Sequence, residues 1–319
     1  MASQGGGMNR LTAAVRALPG GAARLAATVR NSPGGAALLA AVTRPSPTAT
    51  SASRTSASRA SAKTLAGVVG VMVAANVLNN RVAPRLAPAT SAAATGAMLA
   101  MARGSGLSWP ELGFRDGARG LKVGGALAAA VAGVYGVGIA IPATRRFFRD
   151  ERALALSWPR VLEEALVQVP FGTVLLEEVG FRGVLYGLLA RSHGTLTATG
   201  VSSALFGLWH ILPAIDMSRA NPALAHVMEM EEPPEGAGEH PAGEPGERPE
   251  AAGERRAGER AMEPAEVARV VAGSVVFTAL AGILFCELRR HHGLVAPSGL
   301  HIATNSLGYL FAKIAPKDP

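Results

Sequence analysis

Acidic residues are missing from about the first third of the chain. No Asp or Glu precedes Glu111, while Arg and Lys recur through the same stretch. A basic arm of this kind suits an anionic membrane surface. It carries no aromatic side chains to stack on bases, so a nucleic-acid partner is not expected. Cysteine is nearly missing too. Cys286 stands alone, which excludes an intrachain disulfide and a cysteine-based metal cluster, and it reads as a small buried apolar residue. Charged residues make up only 17% of the chain, less than a soluble domain usually needs.

Apolar residues fill that space. They form 49% of the 319 residues, and mean hydropathy is +0.24 although long polar segments are present. The apolar residues are therefore gathered into blocks. The expected fold class is all-α, a polytopic membrane helix bundle with six to eight transmembrane helices.

Residues 1–62 form an Ala/Gly/Ser/Arg-rich basic leader, expected to be disordered, in which Pro-Gly-Gly breaks interrupt two imperfect repeats. Residues 63–155 hold the N-terminal spans, with apolar blocks at 64–78, 86–102 and 120–142. Between the last two lies LSWPELGF (107–114), where Trp109 suits an interfacial anchor. Residues 156–315 form the core, with apolar blocks around 158–191, 195–213, 267–288 and 295–315. A Glu/Gly/Pro-rich insert at about 216–266 interrupts it. This insert is too polar to pack and is expected to be a disordered loop, with His240 a bystander.

The stretch from Val169 to Ala190 is apolar, yet its middle carries Glu177, Glu178 and Arg182. A charge at mid-membrane costs about 2.5–3.5 kcal/mol on insertion scales, so these groups pair, face a protein-lined cavity or do chemistry. Glu178 and Arg182 are four residues apart and share a helix face, which predicts an ion pair. Glu177 lies about 100° around the helix and is left for another task. Pro170 and Gly172 predict a kink just before the carboxylates. Arg160 is spaced to pair with Glu163 or Glu164 at the water boundary.

Three more polar groups sit inside apolar helices. They are His210, with Phe206 four residues before it, then His301, and Asn305 four residues later on the same face. Glu177 and His210 together can hold and deprotonate a water. His301 and Asn305 can donate to an oxyanion. Ser202, Ser203 and Ser298 lack a nucleophile-elbow context.

EEVGFRG (177–183), FGLWH (206–210) and HIATN (301–305) occur in this order. The set resembles the Glu-Glu-x-x-x-Arg, Phe-x-x-x-His and His-x-x-x-Asn motifs of the CPBP intramembrane proteases, which include CAAX prenyl endopeptidases and bacteriocin-processing or immunity-type proteins. The resemblance implies an intramembrane glutamic endopeptidase without a cofactor. Glu177 and His210 would activate water, and His301 and Asn305 would stabilise the oxyanion. Glu178 and Arg182 would support the site, with Phe206 packed beside it. The implied partners are a protein or peptide substrate and the lipid bilayer, and the implied location is a bacterial cell membrane. Two alternatives use the same residues. One is a zinc metalloprotease, although no His-Glu-x-x-His helix is present; the other is a non-catalytic scaffold or immunity-type protein.

Overall fold

A computed structural model describes residues 51–221 and 263–316, with side chains from Ala62 onward. Every regular element among these residues is helical. Helix α1 spans Ser51–Val77 and runs on through a wide turn at Leu78–Val82. Helices α2 (Ala87–Gly104) and α3 (Gly117–Ala140) follow. Three short helical turns then lead into α4, a continuous run over residues 158–193. Helix α5 is Thr195–Trp209, α6 is Ile211–Ala220, α7 is Pro264–His292 and α8 is Val295–Ile314.

Four of the described helical segments are long and apolar enough to cross a membrane: Ala62–Val82, Gly117–Ala140, Thr195–Ala220 and Pro264–His292. Helices α2, α4 and α8 complete the bundle. Their polar residues or Ala-rich composition lower their own hydropathy, and they depend more on neighbours for burial.

Two expected boundaries move. The leader falls outside the described residues up to residue 50, but residues 51–62 belong to α1. Pro and Gly stop at Pro47 and resume only at Gly67, so nothing in between breaks a helix. Residues 222–262 of the acidic insert, including His240, also lie outside the described residues, whereas both flanks are helical. On one flank Asp216 of α6 pairs with Arg81 of α1 at 2.7 Å. On the other, Pro264 occupies the first turn of α7 and a Glu263/Glu266 capping box closes its start.

Helix α3 packs along α8, and α5 along α7. Small residues set both seams. A Cβ on Gly299 would sit 3.0 Å from the Gly124 Cα, and one on Gly207 would sit 2.5 Å from the Val275 carbonyl oxygen. Backbones this close are the usual device of membrane helix pairs.

Helix α4 lies at the centre, against α2, α5 and α8. It is not a regular α-helix. Its turns are widened to i→i+5 over Glu164–Val174 and again over Glu178–Leu185. The kink expected at Pro170 is thus a wide stretch with Pro170 inside it. Pro170 has no N–H, so the carbonyl five residues earlier, that of Ala165, loses its helical partner. Ser306 of α8 donates to it at 2.7 Å. Ser91 and Asn79 donate to the Gly172 carbonyl at 2.5 and 3.3 Å. Ser202 of α5 donates to the Phe181 carbonyl at 2.9 Å, and Arg289 of α7 to the Arg182 carbonyl at 3.0 Å. At Ala165 the neighbouring helix supplies the partner that a buried carbonyl needs, whereas the Phe181 carbonyl also accepts from the Tyr186 N–H within α4.

The loop between α2 and α3 does more than anchor. Trp109 is half exposed, edge-on to Phe114 and beneath the Arg103 guanidinium, as an interfacial residue should be. Leu107 and Leu112, however, are fully buried in the core. The loop docks on the turn between α7 and α8, where the Leu294 N–H donates to the Gly113 carbonyl at 2.9 Å. Gly293 makes this turn at φ +70°, where a Cβ would lie 2.1 Å from the Arg115 carbonyl oxygen, so only glycine fits. Glu111 accepts from the Ser108 hydroxyl at 2.6 Å and from Arg191, at the end of α4, at 2.7 Å. The Ser108 hydroxyl and then the Arg191 guanidinium hold the Glu111 carboxyl down at about 2. At the opposite end of α4, Arg160 pairs with Glu163 and, at 2.8 Å, with Glu164, as expected.

Candidate active site

The second wide stretch of α4 carries the charged motif. Glu177, Glu178 and Arg182 are all buried, and the Arg182 guanidinium is sealed from solvent. The expected ion pair is present, with Arg182 Nη1 3.4 Å from Glu178 Oε1. The guanidinium makes no hydrogen bond within the described residues. Its carbon instead sits 3.8 Å from the Phe206 ring centre and 4.9 Å from that of Phe285. These ring faces offer the cation a favourable quadrupole where hydration is lost.

His301 joins the two carboxylates. Its Nδ1 lies 2.9 Å from Glu178 Oε1, and its Nε2 lies 3.6 Å from Glu177 Oε2. The Glu178 carboxylate accepts from Nδ1–H, so Nε2 bears a proton only when the ring is an imidazolium. Two carboxylates face one guanidinium here.

Glu177 is not left without a partner. The Trp209 indole donates from Nε1 to Glu177 Oε1 at 2.8 Å. Trp209 was passed over in the sequence because the motif reads Phe-x-x-x-His around it. A donor-only N–H inside an apolar helix is the signal that points to it. The end of α1 was also missed. Asn76 donates to the Trp209 carbonyl at 3.2 Å, where α5 breaks before α6, and Asn80 donates to Asn76 at 2.9 Å. Three Asn in NVLNN, closing an apolar helix, carried that signal.

His210 lies at the break and is half-buried. Its Nδ1 is 2.8 Å from the Phe206 carbonyl oxygen. A carbonyl only accepts, so Nδ1 carries the hydrogen and Nε2 offers a lone pair. Phe206 stands between the histidines, with ring centres 4.5 Å from His210 and 6.0 Å from His301. Glu177 bonds to this turn through Trp209 rather than directly to His210.

Asn305 is half-buried one turn after His301, its side-chain oxygen 3.5 Å from the Thr304 hydroxyl. The expected grouping set His301 and Asn305 opposite a Glu177–His210 pair. The structure instead places His301 between Glu177 and Glu178, because its ring nitrogens reach the charged turn of α4. Among the described residues, no three His, Cys, Asp or Glu side chains converge as a metal-ligand set.

Residues 164–307 match the family model described as type II CAAX prenyl endopeptidase Rce1-like. Over this segment the chain is similar to the CAAX protease family. No curated protein and no solved structure matches the chain. The CAAX protease segment begins with the first wide stretch of α4 and ends just past Asn305, so it takes in every motif residue. Peptide-bond hydrolysis is the general activity of that family. With its membrane-length helices, the chain is an integral membrane protein.

Proposed function

We propose that the protein is an intramembrane endopeptidase of glutamic type, in which a water on Glu177 attacks the scissile carbonyl. The observation that carries this reading is the buried array Trp209–Glu177–His301–Glu178–Arg182 inside apolar helices. The indole holds one oxygen of Glu177, and the other is buried with no hydrogen-bond partner among the described residues. That oxygen is the one for a water. His210 is fixed as the tautomer with a bare Nε2, which suits accepting the water's second hydrogen or its proton. His301 in its imidazolium form donates from Nε2, with Glu178 stabilising the cation through Nδ1–H. This suits an oxyanion, and the Asn305 amide is the further donor. Arg182 and Glu178 support the array, and Phe206 separates the two imidazoles. The substrate is a peptide segment entering from the membrane. A prenylated C-terminus is the version suggested by the family description.

A zinc enzyme is the competing chemistry. It fits the donor set poorly, since His301 turns a different nitrogen to each carboxylate and the Arg182 cation adjoins Glu178. The deciding experiment compares C-terminal peptide fragments in cells carrying wild type or Glu177→Gln, with membrane levels matched. The expected result is loss of a defined fragment set with the Gln form. Identical fragments in both would leave a non-catalytic scaffold as the correct reading. Activity of the purified enzyme that survives exhaustive chelation favours the metal-free mechanism over zinc.

A further inference from the structure

The end of the bundle where α4 and α7 finish holds a cavity of about 340 Å³ that the proposed chemistry does not use. Four guanidinium groups line it, those of Arg115, Arg191, Arg289 and Arg290, with Glu111 as the one carboxylate among the lining residues. Arg191 is committed to Glu111 through paired contacts at 2.8 and 2.7 Å. Arg290 has Glu287 at 2.8 Å, outside the cavity lining, and Arg115 donates to the Arg290 carbonyl at 2.5 Å, with Asp116 3.9 Å away as its carboxylate among the described residues.

Arg289 differs from these three. It is 7% exposed and pairs with no carboxylate among the described residues. Its Nε and Nη2 donate to the carbonyls of Arg182 and Glu111, and its guanidinium carbon lies 4.3 Å from the Tyr186 ring centre. Carbonyls and a ring face stabilise a cation without neutralising it. A buried charge lacking a counter-ion is costly, and an anion in the cavity removes that cost.

We infer that this cavity binds a phosphate group, carried by the headgroup of an anionic lipid. Guanidinium forks match phosphate oxygens in paired hydrogen bonds, and several around one cavity suit a group with more than two acceptor oxygens. The volume exceeds what a lone carboxylate needs. The location favours a lipid. The cavity sits at the basic last turn of α7, and its wall residue Thr195 is followed by Leu196, which is 74% exposed. Apolar surface thus begins beside the cavity, and acyl chains lie along it when the phosphate is seated within. Basic pockets between membrane helices near the water boundary bind lipid headgroups in this way.

The test uses the purified full-length chain in detergent and reads the thermal unfolding midpoint. Additions are phosphatidate, phosphatidylcholine, or inorganic phosphate against chloride of equal ionic strength. Phosphatidate is expected to raise the midpoint saturably and phosphatidylcholine to leave it unchanged. In R115Q/R290Q, at the exposed Arg115 and the half-buried Arg290, the apparent affinity for phosphatidate should fall roughly tenfold or more. R290Q alone replaces the double variant if that variant has lost its own folded midpoint. A rise with inorganic phosphate equal to that with phosphatidate keeps the phosphate site and assigns its ligand to solution. No rise with either, or a rise untouched by the substitutions, overturns the inference.

Discussion

The indole nitrogen of Trp209 lies 2.8 Å from Oε1 of Glu177, joining the helix break at His210 to the charged turn of α4. A hydrogen bond to a charged group is worth about 1.5–3 kcal/mol, the equivalent of roughly ten- to hundredfold in rate if it is spent on catalysis. Trp209→Phe keeps the bulk and removes the donor. We expect kcat to fall by that factor with KM little changed, and the pH–rate profile to move. An unaltered profile in peptide-cleavage assays would show that the indole only packs.

Among the described residues Arg182 is the largest fully buried side chain, and its acidic contact there is Glu178. Arg182→Met leaves a buried carboxylate without its cation and should cost about 3–5 kcal/mol of stability. Adding Glu178→Gln should restore a clear part of this loss. Unfolding in mixed micelles checks both. If the two losses simply add, the pair is not coupled.

Glu111 gives a dependence on pH. Its folded pKa of about 2 is below the ordinary carboxylate value near 4.5, so protonation opposes its contacts. The stabilisation is complete above the ordinary value and fades as pH falls towards about 2. The pair is well exposed, so the effect stays below about 1 kcal/mol. The unfolding midpoint of Glu111→Gln should lie below wild type at pH 7 and converge with it as pH drops. Curves that keep a constant separation would assign the loop's attachment to Leu107 and Leu112 alone.

Ser306 stands in for the N–H that Pro170 lacks, at the Ala165 carbonyl. Ser306→Ala should therefore cost on the order of 1 kcal/mol, near the upper range of interhelical bonds in membranes. Pro170→Ala returns an N–H to the same stretch. We expect P170A/S306A to be more stable than the sum of the single changes predicts. Strict additivity in steric-trapping measurements would refute the substitution of one donor for the other.

The apolar blocks were legible in the sequence because a bilayer demands about 20 apolar residues in a row. Glu177, Glu178 and Arg182 were legible because charge is rare there, and the Glu178–Arg182 spacing named its own pair. What could not be read was which side chains cross between helices. Trp209 reaches Glu177 and His301 reaches Glu178 only through the packing of α5 and α8 on α4. The wide turns of α4 were half legible. Pro170 marked the first, but nothing in EEVGFRGVL marks the second, which Ser202 and Arg289 of later helices sustain.

The α4 carbonyls that receive side chains from other helices have a bearing on when the bundle is complete. Five side chains donate to them, Asn79 from the end of α1, Ser91 from α2, Ser202 from α5, Arg289 from α7 and Ser306 from α8, and three of these are synthesised after α4 itself. Alone in lipid, the segment that bears both glutamates lacks the hydropathy of a stable span, and its Ala165 carbonyl lacks a donor. The proposed site therefore takes shape only once α8, which carries His301 and Asn305, has been translated and docked. A truncated or half-inserted chain presents the membrane with no competent protease.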